Sequence, residues 1–201
     1  LEHLDDRYLK AVGYATKSKR GGLPKMVLVG DIAGDDQDAV ARAKKAQKAW
    51  AKRPLEDRIQ LVLKGVARVN EMADEIVPEI AWQMGRPVRY GGEFKGFNER
   101  SNYVAEIAGS SLAPIVVEAS DRFERRIERE PHGVVFVIAP WNYPYMTAIN
   151  TIAPALMAGN VVIIKHAAQT LLVGERLVRA FNEAGVPEDV FQNVFLDHDT
   201  T

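Results

Sequence analysis

The chain has no cysteine among its 201 residues, which excludes disulfides, a thiolate metal site and a cysteine nucleophile from this stretch. It also lacks an excess of charge of either sign. The formal net charge is −1, so no broad field draws it to nucleic acid or to an anionic membrane. No apolar run is long enough to cross a bilayer, and the opening "LEHLDDRYLK" lacks the charged-then-apolar order of a signal peptide. The four histidines, His3, His132, His166 and His198, form no group with metal-ligand spacing. These absences make the cytoplasm the expected compartment, with no metal, nucleic acid or membrane as a partner. A GxGxxG loop is missing as well, so nucleotide binding does not follow from the ordinary dinucleotide fingerprint.

What is present is the balance of a globular protein with a core: 47% apolar residues and 26% charged ones, with no internal repeat. "KMVLVGDIA", Lys25 to Ala33, reads as a short strand. A helix is expected from Asp35, as its cap, to about Lys52. A longer helix starts at Pro54 and carries Leu55, Ile59, Val62, Val66, Val69 and Ala73 at spacings of three and four. Pro78 is expected to break it, leaving a short piece that stops at Gly85 before Pro87. A third helix is expected over about Val88 to Ser110. "DRFERRIERE" alternates with a period of two, Phe123, Arg125, Ile127 and Arg129 on one side, and has almost no buried face. Such a strand is either solvated or built to pair with another chain at an edge.

From Gly133 onward the pattern is that of a parallel sheet. "GVVFVIA" and "VVII" are continuous β-branched runs, as in strands covered on both faces. Helices are expected over about Tyr145 to Ala158 and Thr170 to Ala184, the second with Leu172, Gly174, Val178 and Phe181 toward the sheet, and "VFQNVFL" supplies a third strand. Strand-helix-strand-helix-strand with short links predicts an α/β, Rossmann-like doubly wound parallel sheet.

In such sheets ligands bind beyond the carboxyl ends of the strands. "PWNYP" follows the first strand and "KHAAQT" follows the second run. Pro140 and Pro144 stiffen the loop that carries Asn142. An amide held this way can donate to charge developing on a substrate oxygen, or it can satisfy the turn's own backbone. Trp141 and Tyr143 read as packing residues, Gly159-Asn160 as a plain turn, and His166 as a surface or loop residue. Lys165 is a multi-donor cation suited to hydroxyls or phosphates, or a solvated lysine at a strand end.

"EPHGVVFVIAPWNYP", "APALMAGNVVIIKHAAQT" and "AGVPEDVFQNV" together resemble, in order and spacing, the NAD(P)-dependent aldehyde dehydrogenase superfamily, and "DDQDAVARAKKAQKAW" and "AWQMGRP" look like its N-terminal helices. The resemblance implies that Asn142 is the oxyanion-hole asparagine and that Ile138, Ala139, Pro140 and Trp141 line the nicotinamide side of the cofactor site. It implies that Lys165 binds the adenosine ribose hydroxyls or a 2′-phosphate. Many NAD-preferring members carry a glutamate where this chain has Ala168; alanine removes a carboxylate that would repel a 2′-phosphate, so NADP is expected alongside or ahead of NAD. His166 stands where the family usually has proline.

The same resemblance implies a division of the chain. Residues 1–113 would be the N-terminal, mostly helical part of the cofactor-binding domain, 114–132 an oligomerisation strand, and 133–201 the first part of the dinucleotide-binding unit. It implies a small-molecule aldehyde as substrate and a homo-oligomer, dimer or tetramer, as the working state. "PWNYPYM" through "KHA" is similar to members acting on succinate semialdehyde and related small aldehydes. The pyrophosphate-binding loop, the general-base glutamate and the cysteine nucleophile would lie beyond Thr201, so these residues alone are expected not to oxidise aldehydes. The rival expectation is a non-catalytic nucleotide-binding or interaction module derived from such an enzyme.

Overall fold

The computed structural model describes residues 2–5, 26–29 and 37–196. Strands β1 (Glu2–Asp5) and β2 (Met26–Val29) pair antiparallel. Helices α1 (Gln37–Ala51), α2 (Leu55–Glu71), α3 (Ala73–Met84) and α4 (Phe94–Leu112) follow, with a short 3₁₀ turn, Val88–Tyr90, before α4. The hairpin β3 (Ile115–Ala119) and β4 (Glu124–Ile127) comes next. The remainder is β5 (Val134–Ala139), α5 (Pro144–Met157), β6 (Val161–His166), α6 (Leu171–Glu183) and β7 (Phe191–Val194). The strand order β5-β6-β7 is parallel throughout. The expected cap Asp35 lies outside the described residues.

Successive residues of β7 separate the two sides of the sheet. Phe191 meets Phe181 of α6 edge-on at 5.3 Å between ring centroids. Gln192, pointing the other way, donates to the Ala39 carbonyl of α1 at 3.2 Å. Helices therefore cover both faces, which is why β6 is buried along its whole length and can be purely apolar as far as Ile164. On the α6 side a second layer forms where α2 buries Ile59, Val62, Val66 and Val69, each side chain contributing about 2 kcal/mol. Gly65 lets α2 approach closely, for a Cβ there would stand 2.7 Å from the Phe181 ring. Arg58 locks the corner between α1 and α2 to the end of α5, donating from Nε to the Met157 carbonyl at 2.9 Å and from Nη1 to the carbonyls of Ala51 and Arg53.

Three expectations change. The long helix breaks at Met72 and not at Pro78, which sits inside α3. Pro78 is exposed, as is Asp74, whose carbonyl loses its partner there, so that carbonyl is open to solvent, whereas Met72 is buried and turns the chain at φ −89°, ψ 15°. The third helix starts later, at Phe94, because Gly91 (φ 61°) interrupts it. On α6 the buried face is Val173, Gly174, Leu177, Ala180 and Phe181, with Leu172 and Val178 only half-buried. The alternating segment does form a strand, but it ends at Ile127 and pairs with Ile115–Ala119, and every residue of both strands is exposed.

Candidate active site

All three parallel strands deliver their carboxyl ends to one edge. Register places Ile138 beside Lys165 and Ala139 beside His166, and the Ala167 amide donates to the Ala139 carbonyl at 3.1 Å. The loops 140–143 and 167–170 therefore leave the sheet side by side, and the seven residues expected at the site share this edge. Ile138 and Trp141 are 55% and 48% exposed, Asn142 and Ala168 are exposed, Pro140 is half-buried, and Ala139 is buried. Lys165 is not a solvated strand-end lysine. It lies within β6 and is 3% exposed, so its charge is built into the sheet. Trp141 and Tyr143 are half in solvent and not packing residues of the core.

Asn142 has its side-chain amide in solvent, hydrogen-bonded to none of the described residues, so it does not serve as a turn-satisfying asparagine. Its backbone is held from outside by two residues with no distinctive sequence spacing. Arg86 Nη2 donates to the Asn142 carbonyl at 3.3 Å, and the same guanidinium lies 5.1 Å from the Tyr143 ring centroid. Its Nη1 stands 3.0 Å from Oε1 of Glu93, whose side chain is 2% exposed. Glu93 Oε2 accepts the Met146 amide at 2.7 Å, in the first turn of α5. Burial pushes the Glu93 carboxyl above the ordinary range, while the Met146 amide and Arg86 pull it back. The only hint in the sequence is that Arg86 sits between a helix-stopping Gly85 and Pro87, a rigid corner; nothing marks Glu93.

His166 corrects the surface reading. It is 1% exposed and joins the ends of β6, α5 and α6. Nδ1 accepts from the Ala167 amide at 3.1 Å and from the Thr170 hydroxyl at 2.9 Å, which leaves Nε2–H to donate to the Pro144 carbonyl at 3.4 Å. This neutral tautomer satisfies every partner. Burial lowers the imidazole pKa to about 4 against the help of Pro144, and the neighbouring Lys165 charge lowers it further.

The Gly159-Asn160 corner is a turn as expected: Asn160 Oδ1 accepts the Gly133 amide at 2.9 Å and its Nδ2 donates to the Ala155 carbonyl at 3.2 Å. A cavity of about 700 Å³, lined by Lys48, Arg58, Arg129 and Pro131 among others, opens at the opposite, amino end of the sheet. Its cations either reach solvent or, in Arg58, are spent on backbone carbonyls, so the strand-end edge is the stronger site. No group of acidic and histidine side chains among the described residues could hold a metal, and no helix among them is long and apolar enough to cross a membrane. Chemically, the edge offers a stiffly mounted neutral donor, an apolar surface at Ile138 and Trp141, and one built-in cation.

The sequence profile described as "Aldehyde dehydrogenase family" matches residues 31–201. The N-succinylglutamate 5-semialdehyde dehydrogenase of Novosphingobium aromaticivorans is 33% identical over 170 residues, covering 79% of this chain and 34% of that protein. The NADP⁺ succinate-semialdehyde dehydrogenase of Deinococcus radiodurans is 31% identical over 158 residues, covering 78% and 33%. Among solved structures, an NAD-dependent benzaldehyde dehydrogenase from Corynebacterium glutamicum superposes with a TM-score of 0.72 at 31% identity, covering 80% of this chain and 36% of that one. The chain thus spans about a third of the length of the curated relatives it matches. With a matching profile over most of its length and the same backbone arrangement, the chain belongs to the aldehyde dehydrogenase family.

Proposed function

We propose that the protein carrying this chain oxidises a small aldehyde to the carboxylic acid: aldehyde, NAD(P)⁺ and water yield acid, NAD(P)H and a proton. The observation that carries the reading is the placement of Asn142, an exposed amide fixed at the carboxyl edge of a parallel sheet next to a buried lysine, in a chain of this family. The Asn142 amide donates to the substrate oxygen as it gains negative charge in the tetrahedral state, a donor that needs no reorganisation because its loop is already set. Ile138, Ala139, Pro140 and Trp141 form the surface against which the nicotinamide lies, where Ile138 and Trp141 present apolar area. Lys165 supplies positive charge for the ribose hydroxyls or a 2′-phosphate, and Ala168 leaves that place free of a repelling carboxylate. The bound dinucleotide supplies the hydride acceptor. None of the 201 residues is a cysteine, so the covalent step is carried elsewhere, and these residues by themselves are inactive.

Residues 133–201 are then the opening of the dinucleotide-binding unit, 1–113 its mostly helical approach, and 114–132 the arm through which copies of the protein assemble as a dimer or tetramer. The relatives named for succinate semialdehyde and N-succinylglutamate semialdehyde favour a small semialdehyde as the substrate class. The test is reduction of NADP⁺ and NAD⁺ by the full-length protein with succinate semialdehyde and benzaldehyde as alternatives. We expect turnover with NADP⁺ at least matching NAD⁺, and a fall in kcat of about 10²–10³-fold on Asn142→Ala. No turnover with any aldehyde would end the reading; a strong NAD⁺ preference would end only its NADP part.

A further inference from the structure

We propose that Arg86 and Glu93 are positioning residues for the reaction, a clamp that sets the direction of the Asn142 amide through its backbone. The inference rests on the reading of Asn142 as oxyanion donor.

Trp141, Asn142 and Tyr143 are all exposed, and the bond from the Thr147 amide to the Tyr143 carbonyl at 2.9 Å sets the peptide plane after Tyr143 but not the one before it. The flanking prolines fix only their own φ and restrict the residues just before them. The plane between Asn142 and Tyr143 decides where the Asn142 side chain leaves the backbone, and Arg86 grips it on two sides: by its bond to the Asn142 carbonyl and by its stacking on the Tyr143 ring. Arg86 is itself anchored. It follows Gly85, whose φ of 75° ends α3, and precedes Pro87.

Glu93 ties down the helix that follows the loop. Tyr143, at the N-cap of α5, makes no side-chain capping bond, and the Met146 amide is met by Glu93 from the N-cap of α4. One carboxylate thus pairs with Arg86 and caps α5, so the loop's C-terminal half and the start of the helix that follows refer to one ion pair. A serine or aspartate at position 143 would cap α5 without burying a charge. Burying an ion pair is a poor way to gain stability, and fixing geometry is its better-attested use. The neighbouring helix follows the same rule: the Leu172 amide of α6 is met by Gln83 of α3, at 3.1 Å.

The experiment is a double-mutant cycle in the full-length protein, with kcat and the KM values for aldehyde and dinucleotide measured on folded, thermally characterised variants. Asn142→Ala alone is expected to lower kcat about 100-fold or more. Arg86→Ala is expected to lower it about 10- to 50-fold, with the dinucleotide KM changed less than about threefold, since misplacing a reacting group by a full ångström costs up to about 100-fold. In the Asn142→Ala background, Arg86→Ala should then cost less than about twofold, because there is no donor left to position. Glu93→Gln, which keeps an acceptor for Met146 but loses the charge, should fall between, and Arg86→Lys should recover part of the loss. If Arg86→Ala does not fold, Arg86→Lys and Glu93→Gln complete the same cycle. Losses that multiply in full, or an Arg86 variant as fast as the parent, would overturn the clamp alone. A silent Asn142→Ala would overturn the oxyanion reading and the clamp with it.

Discussion

The β3–β4 arm and the body built on β5, β6 and β7 both draw on Val and Ile for their strands, yet they stand at opposite extremes. In the body, Val161–Ile164 are each 0% exposed, with helices on both faces. In the arm Ile115, Val116, Val117, Phe123 and Ile127 all lie between 46% and 63% exposed. Beyond the ladder and the Ser120 hydroxyl that ties its turn, its contacts include ion pairs between exposed side chains, Arg125 with Glu118 and Arg126 with Glu124 and Glu128, together with Arg125 lying 5.1 Å from the Phe123 ring centroid. A two-stranded ribbon of this kind is marginal alone, and exposed pairs add little. Composition therefore does not decide what holds a strand; its neighbours do. The site loop follows the rule of the body although it looks like the arm, since the Arg86 that meets its Tyr143 ring pairs with buried Glu93, and buried His166 meets the Pro144 carbonyl that follows.

The largest expected effect separates the two regions directly. Phe181→Ala empties a fully buried position packed on Phe191 and on Gly65, and should cost about 3–5 kcal/mol in urea unfolding. Phe123→Ala, in the arm, should stay within about 0.5 kcal/mol. Equal costs would mean the arm is packed in solution and the contrast is wrong.

A smaller effect tests the buried hinge under the site. Protonating His166 would place an N–H at Nδ1 against the Ala167 amide, two donors facing each other. The folded pKa is about 4, below the 6.5 of the free side chain. Above 6.5 both states are neutral. Between 6.5 and 4 the unfolded chain takes up a proton that the folded one refuses, so stability falls as the pH falls through that window, by about 3 kcal/mol in all. Below 4 the loss is complete. Carboxylates titrate in the same range, so the check is the difference between the parent and His166→Gln, whose stability profile should lack this component. Profiles that run parallel from pH 7 to 4 would remove His166 from the account.

What the sequence made legible follows from the same contrast. Val134–Ala139 and Val161–Ile164 announce themselves because a strand buried on both faces admits only apolar side chains. The helix stop at Gly85 and the edge that gathers Asn142 and Lys165 follow from local rules and from sheet topology. Pro78 misled because the cost of a proline depends on whether the orphaned carbonyl meets water. His166 misled because its partners, Thr170 and the Pro144 carbonyl, belong to other elements. Arg86 and Glu93 could not be found at all from spacing, since their meaning lies in contacts with residues more than fifty positions away.

The smallest expected effect on the fold is the sharpest for the arm. Ile127 pairs with Ile115 at the base of the hairpin, and both side chains are about half in solvent. Ile127→Lys removes little buried area within the chain, and the lysine stem can cover part of it, so its urea midpoint should move by no more than about 0.5 kcal/mol in equivalent stability. Were the arm simply a solvated ribbon, nothing else would change. As an assembly strand it presents its apolar row to another copy, where a new ammonium must be desolvated with no partner, so the full-length protein should sediment as a smaller species. An unchanged oligomer together with an unchanged midpoint would leave the arm without an assembly role. A lowered midpoint in the isolated chain would show instead that the hairpin folds back on the body, and the two regions would no longer be of different kinds.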